Sequence, residues 1–309
     1  MYMYLPIALT SVNYLVVMGL GLGVGLLSGL FGVGGGFLMT PLLMMIGIPP
    51  TIAAATDANQ IVAASASGTI SHWRLGNVDF KMGLYLLIGG FAGGAAGVQV
   101  IKILRASGGA DFLIKMTYVV MLGLVGSFMF VESLNAMHKT KKAPAVAAPT
   151  AAPKAKKGGF FSSLPLQIYF EKSGVTHSAL VPLFLGTFVG VLAAIMGVGG
   201  GFLMVPVMIY MLRMPMHVVV GTSLFQILFT CIEVTYLQAY SNHTVDFMLA
   251  LLLLIGSVFG AQIGTVLGRK LHGDQLKILL SIIVLAVTVK IVLELVLEPS
   301  ILLSYAGGH

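Results

Sequence analysis

One glycine-rich motif occurs twice in this chain, and each copy interrupts an apolar run. The eight residues from Gly32 to Met39, GVGGGFLM, return unchanged from Gly197 to Met204. Because glycine costs about 1 kcal/mol relative to alanine inside a helix, each copy predicts a helix break. At membrane depth a broken helix is tolerated only where protein or a water-filled cavity covers the freed backbone. Two such breaks, one per half of a duplicated chain, indicate the binding site of a transporter.

The composition is that of a membrane protein. Of 309 residues 58% are hydrophobic and 9% are charged, and the mean hydropathy is +1.00. Soluble domains carry about 25% charged residues. The net charge of +7 does not indicate nucleic-acid binding, because seven of the seventeen Lys and Arg residues cluster between Lys139 and Lys172, where they set membrane topology or contact anionic lipid.

The chain divides into two similar halves. We predict a first transmembrane repeat at 1–137, a Lys/Pro/Ala-rich linker at 138–177 and a second repeat at 178–309. Each repeat begins with a long charge-free run, 35 residues at 14–48 and 34 residues at 179–212. A straight helix of the first length would measure about 52 Å against a hydrocarbon core of about 30 Å, so each run fits two half-length helices better than one crossing.

Three further apolar segments follow in each half. The second of the three carries glycines at four-residue spacing, which is typical of membrane helices in close contact. These glycines are Gly89, Gly93 and Gly97 in the first half and Gly256, Gly260, Gly264 and Gly268 in the second. The segments lie at 51–71, 82–101 and 112–131, and at 216–239, 247–267 and 275–297.

The basic residues favour one topology. If each long run crossed the membrane completely, the two sides would hold nine and seven Lys and Arg residues; Lys290 lies within the last segment and is left out of both counts. If each run enters and returns as a hairpin, one side holds thirteen and the other three. Because Lys and Arg concentrate on the cytoplasmic side, we predict an all-α polytopic membrane protein with two inverted repeats, each a glycine-broken re-entrant hairpin plus three transmembrane helices. The linker is then cytoplasmic and both termini are outside.

This topology predicts an anion site where the two hairpin tips meet. The second half-helix of each hairpin starts at about Phe37 and Phe202, and its first N–H groups carry the positive end of the helix dipole. Two such ends bind an anion without a basic side chain. Polar residues on the following helices complete the site, although they could instead join helices structurally. The candidate substrate-binding residues are Gly34, Gly35, Gly36, Thr56, Asn59, Gln60, Gly199, Gly200, Gly201, Thr222, Ser223 and Gln226.

Two carboxylates fall inside apolar segments. A charge at the bilayer centre costs at least about 3 kcal/mol, which makes Asp57 and Glu233 candidates for coupling transport to a proton or a sodium ion. The alternatives are that Asp57 caps a half-helix or stays protonated in a polar pocket, and that Glu233 makes a structural hydrogen bond. The position equivalent to Asp57 is Ser223, so any coupling is asymmetric.

Other chemistry finds no support in the sequence. The histidines show no metal-ligand spacing, and the eighteen methionines form no repeated Met-x-x-Met pattern, so no metal is predicted. The glycine motif is not followed by Gly-Lys-Ser/Thr, which argues against nucleotide hydrolysis. Neither a Ser-His-Asp group nor a carboxylate pair indicates an enzyme. Cys231 is the one cysteine, so no intramolecular disulfide forms.

The doubled motif, GLFGVGGGFLMTP from Gly29 and its second copy from Ile195 to Pro206, resembles the signature of the TauE/SafE family of sulfite and organosulfonate transporters. The resemblance covers residues 14–135 and 178–297. It implies secondary transport of sulfite, organosulfonates or related small anions across a bacterial cell (inner) membrane, commonly export, with no cofactor. A passive anion channel and a non-transporting scaffold subunit are the alternatives, and a homo-oligomeric state is left open.

Overall fold

The computed structural model describes residues 2–31, 36–140, 166–268 and 273–297, and its architecture is that of an all-α polytopic membrane protein. The all-α polytopic membrane class predicted from the sequence is therefore confirmed. In the first half the elements are β1 (Tyr2–Leu5), β2 (Thr10–Asn13), α1 (Tyr14–Phe31), α2 (Gly36–Met45), α3 (Pro50–Arg74), α4 (Phe80–Ala106) and α5 (Ala110–Thr140).

The second half repeats this order. Its elements are β3 (Gln167–Phe170), β4 (Val175–Ser178), α6 (Leu180–Met196), α7 (Gly201–Tyr210), α8 (Met216–Leu237), a π-helical turn (Gln238–Asn242), α9 (Phe247–Gly268) and α10 (Gly273–Leu297). The two antiparallel hairpins, β1–β2 and β3–β4, were not anticipated from the sequence. Most of the predicted linker lies outside the described residues, and the domain boundaries stay a prediction.

Four of the described helical stretches are long and apolar enough to cross a membrane: Phe80–Ala106, Ala110–Phe128, Val218–Asn242 and Phe247–Gly264. Large apolar side chains stand exposed on the outside of the helices, among them Phe184, Phe188 and Phe259. In a soluble protein such a surface would be a liability, but lipid covers it in a membrane. The shorter apolar helices are Tyr14–Ser28, Gly36–Met45 and Leu180–Met196.

Helices of one half pack against helices of the other. α1 runs along α9 and α4 runs along α6, while α3 packs on α8 and α5 on α10. The glycine stripes lie at the first two contacts, as their spacing predicts. A side chain at Gly93 would collide with the backbone of Thr187, and one at Gly260 with the backbone of Leu22, so only glycine permits the approach.

Hydrogen bonds identify which helix ends share a face of the molecule. At the first face, the N–H of Ile7 in the β1–β2 turn bonds to Asp246 before α9, and the N–H of Thr51 in α3 bonds to Asp111 in α5. Arg105, near the end of α4, bonds there to the carbonyl of Asn242. The start of α1 and the start of α3 therefore lie at the same face, although α1 and α2 come between them.

The opposite face shows the equivalent contacts of the second half. The N–H and hydroxyl of Ser173 in the β3–β4 turn bond to Asp79 before α4. A ring nitrogen of His177 lies 2.9 Å from the carbonyl oxygen of Leu212, just after α7. The start of α6 and the end of α7 are thus near one another, as are the start of α1 and the end of α2 at the first face. The inverted-repeat relationship itself stays a prediction that these contacts support.

Candidate functional site

The second glycine break is a sharp connection between α6 and α7. Gly197, Gly199 and Gly200 have φ angles of +71°, +68° and +77°, in the left-handed region that favours glycine. A side chain at Gly197 would also collide with the carbonyl oxygen of Ala54 in α3. A Cβ at Gly199 would lie 2.6 Å from Cys231 Sγ in α8. The break is therefore held between α3 and α8, and its glycines serve packing as well as any ligand.

The first break is described only at its end. Gly34 and Gly35 lie outside the described residues, whereas Gly36 begins α2 and is buried. A Cβ at Gly36 would collide with the end of the Ile61 side chain and would lie 3.2 Å from Asp57 Oδ2. The start of α2 is thus packed directly on α3.

The starting ends of α2 and α7 meet inside the protein. Phe37 and Phe202, the second residue of each helix, stack with ring centroids 4.5 Å apart and an interplanar angle of 11°, and both are buried. The Ile61 side chain lies against Gly36 with one end and faces Gly199 with the other. Because the first N–H groups of a helix lack intrahelical partners, the pairing concentrates two positive dipole ends in one buried region.

The two predicted glutamines are buried on the helices that flank this region. Gln60 is in α3 and Gln226 in α8, and the Oε1 atom of each has no hydrogen-bond partner among the described residues. Gln226 Nε2 donates to Thr230 Oγ1 at 3.0 Å. Asn59 is half-buried beside Gln60. An unpaired buried polar atom in a native fold requires an explanation, and a ligand or an ion is one.

The two predicted threonines join the halves. Thr56 Oγ1 accepts the N–H of Asp246 at 3.2 Å, and Thr222 Oγ1 accepts the N–H of Asp79 at 3.0 Å. Each aspartate also caps its own helix, since Asp79 accepts from Met82 and Asp246 from Leu249. The threonine hydroxyls thus bond to the backbone at the starts of α9 and α4. The remaining predicted hydroxyl, Ser223 Oγ, donates to the carbonyl of Val220 at 3.1 Å.

Asp57, which belongs to α3, is fully buried and lies beside the start of α2. Its Oδ2 accepts the hydroxyl of Thr40 at 2.9 Å, and its Oδ1 has no hydrogen-bond partner among the described residues. Thr40 Oγ1 also lies 3.5 Å from the carbonyl oxygen of Met196, the last residue of α6. That carbonyl accepts the hydroxyl of Tyr118 from α5 at 2.5 Å.

Sequence reasoning missed Thr40 and Tyr118. Thr40 carries the only hydroxyl within α2, directly after the glycine motif, and that isolation in an apolar half-helix was a usable signal. Tyr118 gave no signal, because its position in α5 follows no motif.

Glu233 lies half-buried at a contact between α8 and α4. Its Oε2 is buried without a hydrogen-bond partner among the described residues, next to Gly94, while Thr230 and Gln226 lie next to Gly90. Gln226, Thr230 and Glu233 therefore form one polar face of α8 against the small residues of α4. Within the described part of the chain, no group of three His, Cys, Asp or Glu residues is arranged to hold a metal ion.

Known proteins of similar sequence are named as probable membrane transporters. YunE of Bacillus subtilis, a probable membrane transporter protein, is 27% identical over 91% of this chain and 98% of its own length. YjnA of the same organism, also a probable membrane transporter protein, is 28% identical over 88% of this chain and 97% of its own.

A plant protein shares part of the sequence. Sulfite exporter TauE/SafE family protein 1 of Arabidopsis thaliana is 32% identical over 35% of this chain and 24% of its own length. No solved structure matches the chain significantly. The profile of the family described as Sulfite exporter TauE/SafE matches residues 17–291, nearly the whole chain. This membrane protein belongs to the TauE/SafE sulfite exporter family.

Proposed function

We propose that this protein is a secondary transporter that moves a small sulfur-containing anion, sulfite or an organosulfonate, across the cell membrane by alternating access. The observation that carries the proposal is the stacking of Phe37 on Phe202, which brings the starts of α2 and α7 together. Convergent helix N-termini attract an anion through free N–H groups and two dipole ends. Membership of a family named for sulfite export supports the sulfur chemistry.

The binding site in this proposal uses backbone first and side chains second. The glycines at 34–36 and 199–201 allow the anion to approach the N–H groups of the two breaks. Gln60 and Gln226 flank the breaks with oxygens that are unpaired among the described residues. A side-chain amide carries both a donor and an acceptor. Rotation of the terminal amide of either glutamine by about 180° therefore presents an N–H to the anion. The remaining polar candidates on the same two helices are Asn59, Thr56, Thr222 and Ser223.

Alternating access follows from the proposed inverted repeats. In this arrangement α1–α2 enters from the first face and returns to it, and α6–α7 does the same from the second. The bond from Thr51 to Asp111 and the contact of His177 with Leu212 support it, because each relates a hairpin to the face where it starts. The anion would then be released to either side by movement of one hairpin against the other.

Asp57 and Glu233 are the proposed coupling residues. Each has a buried carboxylate oxygen without a hydrogen-bond partner among the described residues. A proton or a sodium ion bound there would compensate the buried charge. The proposed location is the bacterial inner membrane, with the lysine-rich linker on the cytoplasmic side.

A ligand-binding screen with glutamine variants tests the function. The purified protein is melted in the presence of sulfite, sulfate, thiosulfate and several organosulfonates, alongside Gln60→Ala and Gln226→Ala. Gln99→Ala is the matched control, because Gln99 is exposed on α4. We expect one class of sulfur anion to raise the melting temperature of the wild type and of Gln99→Ala, with about a tenfold loss of affinity in the other two variants, equivalent to about 1.4 kcal/mol.

Two other results would contradict the proposal. If no sulfur anion stabilises the wild type, the substrate class is wrong. If stabilisation survives in both Gln60→Ala and Gln226→Ala, the site lies elsewhere. Flux of the identified anion in liposomes then separates a coupled transporter from a passive channel, since only coupled flux responds to a proton or sodium gradient.

A further inference from the structure

The hydroxyl of Thr40 lies between two acceptors that belong to different halves of the protein. Asp57 Oδ2 is 2.9 Å away in α3, and the carbonyl oxygen of Met196 is 3.5 Å away at the end of α6. All three residues are buried. A hydroxyl carries a single hydrogen, so Thr40 donates to one acceptor at a time. The observed distances correspond to donation to Asp57.

The protonation state of Asp57 decides which acceptor Thr40 uses. An ionised Asp57 can only accept hydrogen bonds, and it accepts the one that the Thr40 hydroxyl donates. When a proton from water binds Asp57, it is held on Oδ2, because an O–H there has Thr40 Oγ1 as its acceptor. An O–H on Oδ1 would find none among the described residues. Thr40 then accepts from Asp57, and its own hydrogen turns to the Met196 carbonyl.

The Met196 carbonyl connects this exchange to the second glycine break. It is the last carbonyl of α6, immediately before Gly197, and Tyr118 already donates to it. A carbonyl oxygen has two lone pairs and accepts a second donor without losing the first. With Asp57 protonated, the end of α6 is tied to both α5 and α2. With Asp57 ionised, the bond from Tyr118 is the one that remains among the residues the structure describes.

We propose that Thr40 is a proton-controlled switch that ties the α6–α7 break to α2 when Asp57 is protonated and releases it when Asp57 is ionised. This inference rests on the proposed transport function, for which it names a positioning residue and a proton as the coupling ion. The switch exists in one half only, since Val205 and Ser223 stand at the positions equivalent to Thr40 and Asp57. The movement of the helical hairpin formed by α6 and α7 is therefore the proton-dependent one.

The surroundings of Asp57 leave few other groups that respond to pH. Tyr118 of α5 and Cys231 of α8 are the titratable side chains that interact with it electrostatically among the described residues. Asp246 reaches the neighbouring Thr56 through its backbone N–H. The helices α2 and α6, which also pack against α3, contain no titratable residue.

Cys231 reports on the break without an engineered cysteine. It is the only cysteine in the chain, it is buried, and it packs against Gly199. The experiment measures alkylation of Cys231 by N-ethylmaleimide across the pH range in which the full-length protein is stable in liposomes. Each rate is divided by the rate of Thr40→Val at the same pH. That variant lacks the hydroxyl of the switch but keeps the Asp57 charge near Cys231, so the ratio removes the pH dependence of the thiol. The side-chain amide introduced by Asp57→Asn donates to Thr40 and so imitates the protonated state.

For the wild type, we expect this ratio to rise by about fivefold or more as pH increases and the break is released. Thr40→Ser keeps the hydroxyl and should follow the wild type. At the low end of the pH range, where Asp57 is protonated, Asp57→Asn should have the same low ratio as the wild type. Size-exclusion chromatography verifies that each variant is folded.

Three results would overturn the switch: a flat ratio in the wild type, an Asp57→Asn ratio near one at low pH, or a Cys231 that stays unreactive at every pH. Flux of sulfur anions in the same liposomes separates the two proposals. If the alkylation pattern appears but no sulfur anion moves, the transport proposal fails and the switch stands. If anions move without the pattern, the switch fails alone.

Discussion

Gly197 illustrates how much one glycine of the motif contributes to the structure. Its backbone has φ +71°, and its Cα faces the carbonyl oxygen of Ala54 without room for a side chain. From the sequence, the glycines were interpreted as places where a ligand approaches the backbone. The structure adds a second requirement, which is the close contact between the break and α3.

Replacing Gly197 by alanine should therefore destabilise the protein even without a ligand. The left-handed backbone and the collision with Ala54 together should cost about 1–3 kcal/mol, which lowers the melting temperature in detergent. Gly19→Ala is the control, because Gly19 is exposed in α1 with open space around it. It should leave the melting temperature unchanged or raise it. Equal melting temperatures for the two variants would show that the break is not packed as described.

At the same scale, sequence reasoning predicted which polar residues matter better than what they contact. Thr56, Gln60, Thr222 and Gln226 were all predicted as site residues, and all four are buried. The threonines bond to the backbone of the other half, whereas the glutamine oxygens are unpaired among the described residues. Spacing along one helix cannot reveal this difference, because it depends on which helix of the other half lies opposite.

At the scale of elements, the apolar segments were predictable and the β-hairpins were not. Long charge-free runs predict helices whatever surrounds them. The β1–β2 and β3–β4 hairpins have only four residues per strand, too short for a clear alternating pattern, and tertiary contacts hold them. Asp79 and Asp246 supply those contacts, a role that the local sequence around them did not reveal.

The two aspartates should differ in how strongly they hold their hairpins. Asp79 accepts two hydrogen bonds from Ser173 in the β3–β4 turn, and Asp246 accepts one from Ile7 in the β1–β2 turn. We expect Asp79→Ala to accelerate amide exchange in β3–β4 by about tenfold or more, and Asp246→Ala to accelerate it less in β1–β2. Hydrogen–deuterium exchange followed by mass spectrometry measures both. The other hairpin serves as internal control in each variant, and a variant that loosens both hairpins equally would refute the assignment.

At the scale of the whole molecule, the duplication predicted two equivalent halves but not how they interlock. In the structure, helices of each half pack on helices of the other, α1 on α9 and α4 on α6. The glycine stripes identified contact surfaces without identifying the helices that use them. Pairing between distant segments is a property of the three-dimensional packing that a single sequence does not encode in its local patterns.

The orientation in the membrane makes a prediction at this scale. In a Cys231→Ala background, a cysteine introduced by Ser11→Cys in β2 should react with a membrane-impermeant maleimide on intact cells. One introduced by Ala151→Cys in the linker should react only in inverted vesicles, because positively charged segments stay in the cytoplasm. Reaction of both cysteines from the same side would contradict the inverted repeats.

The central claim is that the starts of α2 and α7 together bind the anion. The most direct measurement is a crystal structure with selenite, the selenium analogue of sulfite, located by anomalous diffraction at the selenium edge. The account predicts a selenium peak beside Phe37 and Phe202, within hydrogen-bonding distance of backbone N–H groups of the two breaks. A peak at surface lysines or arginines alone, with none between the two helix starts, would contradict it.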